Sequence, residues 1–197
     1  MQRIILAVLL VPTLSLAGEF NKKLSIGDVA PAWKDLPGTD DKKHALADLQ
    51  SKDFVVVVFT CNSCACSEEY EDRIIAFAKK YADKVALVAI NVNTIPADRL
   101  DAMKKKAVAK KFSFPYLYDE SQKIAQDYGA IYTPEFFVID KDRRIVYMGA
   151  MDDKTKADDV KDKYLESAVD ALLKGDKPAT KETPAHGCLI RFKRSRD

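Results

Sequence analysis

The chain has 197 residues, of which 47% are hydrophobic and 31% charged, as in an ordinary globular domain. Its 32 basic and 30 acidic residues are spread evenly, and no basic stripe is interleaved with aromatic residues. The composition therefore argues against a nucleic-acid-binding protein, because such proteins concentrate positive charge on one face.

The first 17 residues have the layout of a secretory signal peptide. Arg3 precedes an apolar run from Ile4 to Val11, and the small residues Ser15 and Ala17 follow. This order predicts cleavage after Ala17 and export to a periplasmic or other extracytoplasmic compartment. The run is short for a membrane span and no second one follows, so we expect no span after cleavage. The alternative is a retained N-terminal anchor.

The rest of the sequence predicts one domain at residues 18–180 and a tail at 181–197. Apolar, β-branched runs at 54–60 and 85–93 are typical of buried strands. Each precedes a helical pattern, the first over 68–84 and the second over 96–112 with Pro96 at its first position. We then expect a short strand at 115–119, a helix ending at Gly129, a hairpin over 134–152 and a helix at 157–175.

This order of elements predicts an α/β fold in which a central mixed β-sheet is flanked by helices. The first two long strands should be parallel, because a helix connects them. The end of the first strand and the start of its helix should then lie at one edge of the sheet.

Two cysteines form a C-x-x-C motif at that edge, within the stretch FTCNSCACSEEYED (59–72). Unpaired N–H groups and the positive end of the helix dipole favour a thiolate there. We expect Cys61 to be the more exposed, attacking thiol and Cys64, one turn in, to resolve the mixed disulfide. The alternative is that Cys61 and Cys64 form a purely structural disulfide. Zinc needs four ligands, and His44 and His186 are distant and isolated in sequence, so we expect no metal.

The two remaining cysteines leave the pairing open. Helical geometry turns Cys66 about 200° away from Cys64 and places it with Tyr70, Ile74 and Phe77 as a core residue. Cys66 bridged to Cys188 is the alternative, and Cys188 could equally be a third redox thiol on a mobile tail. Four cysteines allow three pairings, and sequence does not choose among them.

These residues resemble the thioredoxin-like superfamily, and within it exported, peroxiredoxin-like redoxins with a C-x-x-C motif. The segments that carry the resemblance are GDVAPAWKDL, VVVVFTCNSC, YTPEFFVID and the C-terminal GC-x-I, which together span residues 25–192. The resemblance implies a cis peptide bond before Pro134. It also implies that Thr133 and Pro134 bind the substrate chain beside the cysteines.

The sequence also departs from these relatives. Ser63 and Ala65 stand where many have a histidine and a proline, and Cys66 is additional. The first buried strand lacks the acid that thioredoxins use as a proton acceptor, for which Glu135 and Glu68 are candidate replacements. Counting three residues from Thr60, where a peroxiredoxin has its peroxidatic cysteine, gives Ser63, which weakens a peroxidase role.

The resemblance and the motif together predict an exported thiol–disulfide oxidoreductase without a cofactor. Its partner would be a protein or small molecule that carries a thiol or disulfide. A thiol peroxidase with an antioxidant role is the second hypothesis. The third is a copper-binding protein that uses Cys61, Cys64 and a histidine.

Overall fold

The structure is a computed structural model that describes residues 18–193. The predicted signal peptide at 1–17 lies outside the described residues. No helix in the described part of the chain is both long and apolar enough to cross a membrane.

A five-stranded mixed sheet forms the centre of the fold, and helices lie on both of its faces. The chain has nine strands and four α-helices in the described residues. The strands are β1 (Leu36–Pro37), β2 (Lys43–His44), β3 (Phe54–Phe59), β4 (Val85–Asn91), β5 (Tyr116–Tyr118), β6 (Tyr132–Thr133), β7 (Glu135–Ile139), β8 (Ile145–Gly149) and β9 (Cys188–Leu189). The helices are α1 (Ala65–Tyr81), α2 (Leu100–Lys110), α3 (Lys123–Tyr128) and α4 (Tyr164–Leu173).

The strand order of the central sheet is β5-β4-β3-β7-β8. Strands β3 and β4 are parallel, as predicted, and β7 and β8 form the predicted antiparallel hairpin. Five of the six residues of β3 are fully buried, because hydrophobic clusters cover both faces of the sheet. This confirms the predicted α/β fold and places the C-terminal end of β3 beside the start of α1.

Two predicted helices begin later than expected, and a side chain explains the second difference. Pro96–Asp98 is a separate 3-10 turn, and Arg99 is extended (φ −74°, ψ 161°) before α2 begins. In the last helical segment, Asp153 accepts hydrogen bonds from the N–H groups of residues 161 and 162 (2.9 and 3.1 Å). Those bonds compete with helical ones, so α4 begins only at Tyr164.

Residues 182–193, here named the C-terminal strap, pack back onto the domain. Thr183 and Ile190 are buried, and Thr183 Oγ1 accepts a 2.9 Å hydrogen bond from the Ala150 N–H. The Ile190 N–H donates to the Ile131 carbonyl at 2.9 Å, and the Gln122 amide binds the backbone of the last described residues. The sequence predicts a tail here, whereas in the structure both ends of the segment are hydrogen-bonded to the domain.

Candidate active site

Cys61 and Cys64 lie between the end of β3 and the start of α1, as the sequence predicts. Cys64 is the N-cap of α1, with an extended backbone (φ −102°, ψ 119°). Both residues are buried, with 3% of Cys61 and 5% of Cys64 exposed. The expectation that Cys61 is the more exposed was therefore wrong. Strap residues Cys188 and Leu189 line the same groove as these cysteines, which accounts for the low exposure of both.

The disulfide of this structure joins Cys64 to Cys188, across 124 residues of sequence. Their Cα atoms are 6.4 Å apart, which is within the normal range for a disulfide. Cys61 and Cys66 are free thiols. Cys64 is thus shared by two arrangements, the bond to Cys188 seen here and the Cys61–Cys64 pair, which stays a prediction.

Cys66 does not turn away from Cys64 into the core. It is half-buried, and the Sγ atoms of Cys64, Cys66 and Cys188 all lie within 4.8 Å of one another. The helical rotation of 100° per residue does not apply from Cys64, because its extended backbone lies outside the helix. The rest of the predicted stripe, Tyr70, Ile74 and Phe77, is buried as expected.

Thr133 lies between the cysteine sulfurs. Its peptide bond to Pro134 is cis, as the resemblance implies. The Oγ1 atom is 3.4 Å from Cys61 Sγ, and the carbonyl oxygen is 3.4 Å from Cys64 Sγ. The same residue pairs with Cys188 in the short β6–β9 ladder. One backbone position therefore contacts three of the four cysteines.

The strap passes so close to Thr133 that only glycine fits before Cys188. A Cβ atom added to Gly187 would lie 2.3 Å from the Thr133 carbonyl oxygen and 3.0 Å from the Pro134 nitrogen. The strap thus occupies the backbone edge beside the cis proline, where the sequence predicts that a substrate chain binds.

Asp98, which the sequence patterns did not single out, fixes the loop between the two cysteines. Its side chain is fully buried and accepts hydrogen bonds from the N–H groups of Asn62 (2.6 Å) and Ser63 (3.1 Å). The Ser63 hydroxyl donates to the second carboxylate oxygen at 2.6 Å. The Tyr116 hydroxyl, 2.9 Å from Asn62 Oδ1, holds the same loop from the sheet side. The available signal was an acid after Pro96 in a turn near the C-terminal end of β4.

Of the two candidate acids, Glu135 is buried and Glu68 is exposed. Burial raises the pKa of Glu135 to about 7, although hydrogen bonds from the Ile131 and Tyr132 N–H groups oppose the shift. Glu135 lines a cavity of about 200 Å³ together with strap residues 182–185. Glu135 thus follows the cis proline and faces a cavity shared with the strap, whereas Glu68 lies 3.8 Å from Lys106 at the surface.

A groove of about 240 Å³ opens over the disulfide. Cys61, Cys64 and Cys188 line it, with Arg191 as its positive charge. The groove gives a small thiol access to the bonded sulfurs, and Arg191 would favour an anionic one.

The Redoxin family model matches residues 25–165, most of the chain and all of its central sheet. The chain belongs to the Redoxin family. Two solved structures resemble this chain over almost their full length. A hypothetical protein from Sinorhizobium meliloti is 34% identical, with a TM-score of 0.82 and 88% of this chain and 97% of that one covered. An uncharacterized protein from Geobacillus kaustophilus is 35% identical, with a TM-score of 0.81 and 87% and 94% covered.

A third structure carries a functional description. A candidate thiol:disulfide interchange protein, DsbE, from Chlorobium tepidum is 25% identical, with a TM-score of 0.55 and 64% of this chain and 84% of that one covered. No curated protein matches the sequence significantly. The family and the fold identify this redoxin as thioredoxin-like and as an oxidoreductase in general kind.

Proposed function

We propose that this redoxin is a thiol–disulfide oxidoreductase. In its reaction, Cys64 forms a disulfide alternately with Cys188 and with Cys61. The observation that carries the proposal is the position of Cys64. It is bonded to Cys188, and Thr133 contacts both its sulfur and the free thiol of Cys61. The likeness to a candidate thiol:disulfide interchange protein supports the same chemistry.

The first step is an exchange within the chain. The Cys61 thiolate attacks Cys64 Sγ, so that the Cys61–Cys64 bond forms and the Cys64–Cys188 bond breaks. Cys188 leaves as a thiolate and takes a proton from water. One disulfide is present before and after, so no external oxidant or reductant is consumed. Unpaired N–H groups at the start of α1 favour thiolate character at Cys64 in the later steps.

The second step needs access to the cysteines. Once Cys188 is released from Cys64, this part of the strap is held by the two-residue β6–β9 ladder and the hydrogen bonds that flank it. Displacement of the strap uncovers Thr133 and lets a substrate backbone pair with it. A substrate thiolate then attacks Cys61 Sγ, so that a substrate–Cys61 disulfide forms and Cys64 leaves as a thiolate. A second substrate thiolate attacks the substrate sulfur of that mixed disulfide, so that the substrate disulfide forms and Cys61 leaves as a thiolate. The same steps in reverse reduce a substrate disulfide.

Insulin reduction in the presence of dithiothreitol tests these roles. Cys61→Ala and Cys64→Ala should fall to the uncatalysed rate, because each removes one sulfur of the active pair. Cys188→Ala should turn over at least as fast as the natural protein, because its strap is never tethered. Cys66→Ala is the matched control and should keep the natural rate.

Two results would contradict the proposal. Turnover by Cys61→Ala would remove this residue from the reaction. Complete loss of turnover in Cys188→Ala would make Cys188 the working partner of Cys64 rather than a tether. Reduced Cys64→Ala, incubated with insulin after dithiothreitol is removed and then quenched with acid, should also give a mixed disulfide between Cys61 and insulin, visible on non-reducing gels.

We also propose that the protein is exported. The order of charged, apolar and small residues in 1–17 supports this, and so does the disulfide, since disulfides persist in oxidising compartments. The intact mass of the protein recovered from a periplasmic extract should correspond to a chain that begins at Gly18.

A further inference from the structure

Three of the four cysteine sulfurs form a compact group that the exchange reaction does not explain. The Sγ atoms of Cys64, Cys66 and Cys188 lie within 4.8 Å of one another, whereas Cys61 is not part of this group. The exchange needs Cys61, Cys64 and Cys188, so Cys66 has no role in it. We propose that the reduced protein binds one Cu(I) ion through Cys64, Cys66 and Cys188.

The geometry suits three sulfurs around one ion. Metal–sulfur bonds of about 2.3 Å in a trigonal plane place the sulfurs about 4 Å apart. The three Sγ atoms already lie within 4.8 Å of one another, and the bonded pair would separate once its disulfide is reduced. The required movement is a local opening of the Cys64–Cys188 bond and not a rearrangement of the fold.

The chemistry of the ligands favours Cu(I) over other common ions. Thiolates are soft ligands, which suit Cu(I), whereas a closed zinc site needs a fourth ligand. Neither histidine belongs to the sulfur group found among residues 18–193. Three thiolates and one Cu(I) carry a net charge of −2. Two positive groups stabilise that negative charge. They are the N-terminal end of α1, whose N-cap is Cys64, and Arg191 in the adjoining groove.

Metal binding and disulfide formation exclude each other at this site. A thiol reductant supplies the two electrons that open Cys64–Cys188, and Cu(I) then replaces the protons of the three thiols. The bound ion keeps Cys64 from bonding to Cys188, so copper would hold the strap in a reduced but still anchored state.

Competition with bicinchoninate under anaerobic reducing conditions tests the site. The reduced natural protein should withdraw one equivalent of Cu(I) from the chelator. Cys66→Ala and Cys66→Ser should bind at least tenfold more weakly, because each leaves two sulfurs. Cys61→Ala is the matched control and should bind like the natural protein, although it should not reduce insulin.

The paired variants separate this proposal from the proposed function. Cys66→Ala should lose copper but keep turnover, and Cys61→Ala should show the opposite. Natural affinity in both Cys66 variants would overturn the site, as would failure of the natural protein to compete. Equal loss in Cys61→Ala would move the ion to the C-x-x-C pair and would also overturn it. None of these outcomes depends on whether the protein reduces insulin.

Discussion

The two sides of the disulfide are held by different kinds of contact. On the Cys64 side, the loop from Cys61 to Cys64 is fixed by the buried Asp98 carboxylate and the Tyr116 hydroxyl. On the Cys188 side, the strap meets the domain through a two-residue ladder and anchors at its ends. The Cys64 side of the site is therefore rigid and the Cys188 side can be released, as a change of disulfide partner requires.

Asp98→Ala should cause the largest loss of stability, because it removes the carboxylate that accepts the hydrogen bonds of the cysteine loop. The N–H groups of Asn62 and Ser63 and the Ser63 hydroxyl lose their acceptor, and so does the fully buried Asn91 amide, 3.3 Å from the same carboxylate. We expect the free energy of unfolding to fall by about 2–4 kcal/mol, measured by urea denaturation. Asp101→Ala, at an exposed position of α2, is the control and should change it by less than about 0.5 kcal/mol. Equal effects would show that Asp98 does not hold the loop.

Glu135 lies where the rigid and releasable sides meet, and it should make stability depend on pH. Its pKa is raised from 4.5 to about 7 by burial, so folding favours the protonated form. The stabilising contribution is therefore complete below about pH 4.5 and is lost as the pH rises through 7. The free energy of unfolding therefore falls by about 3 kcal/mol between those two pH values.

Glu135→Gln tests this by removing the titration. The variant should match the natural protein near pH 4.5 and exceed it in free energy of unfolding by about 3 kcal/mol at pH 8. Glu69→Gln changes an exposed acid and should leave the pH profile unaltered. A difference between Glu135→Gln and the natural protein that is the same at both pH values would refute the buried titration.

Gly187→Ala should act on the releasable side alone, with the smallest effect. The added Cβ would clash with the Thr133 carbonyl oxygen at 2.3 Å, so the strap must shift at a cost of about 1–2 kcal/mol. In a fixed glutathione buffer, the ratio of bonded to reduced Cys64–Cys188 should fall about tenfold, as counted by thiol alkylation and mass spectrometry. His186→Ala alters an exposed neighbour and should leave this ratio unchanged. An unchanged ratio in Gly187→Ala would mean that the strap does not need its place beside Thr133.

The fold was predictable because its signals are periodic and local. The runs at 54–60 and 85–93 are buried strands, and the stripe of Tyr70, Ile74 and Phe77 is the inner face of α1. The errors came where a polar side chain competes with the backbone, as Asp153 does before α4. Helical periodicity carries no information about such competition.

The site was only partly predictable, because its key contacts join distant parts of the chain. The C-x-x-C position follows from where a strand ends and a helix begins. The Cys64–Cys188 bond spans 124 residues, and the contact of Asp98 with the cysteine loop depends on how β4 lies beside β3. The direction in which Cys66 points relative to Cys64 depends on the extended backbone of Cys64 at the N-cap. The spacing of the cysteines in the sequence does not reveal that conformation.

Disulfide mapping of the natural protein shows whether Cys64 takes part in every disulfide within the chain. The protein, poised with one disulfide per chain in a glutathione buffer, is quenched with acid, alkylated and digested for mass spectrometry. The account predicts that the bonds recovered within the chain are Cys64–Cys188 and Cys61–Cys64, so that every bond contains Cys64. A substantial population of Cys61–Cys188 or Cys66–Cys188 would contradict it.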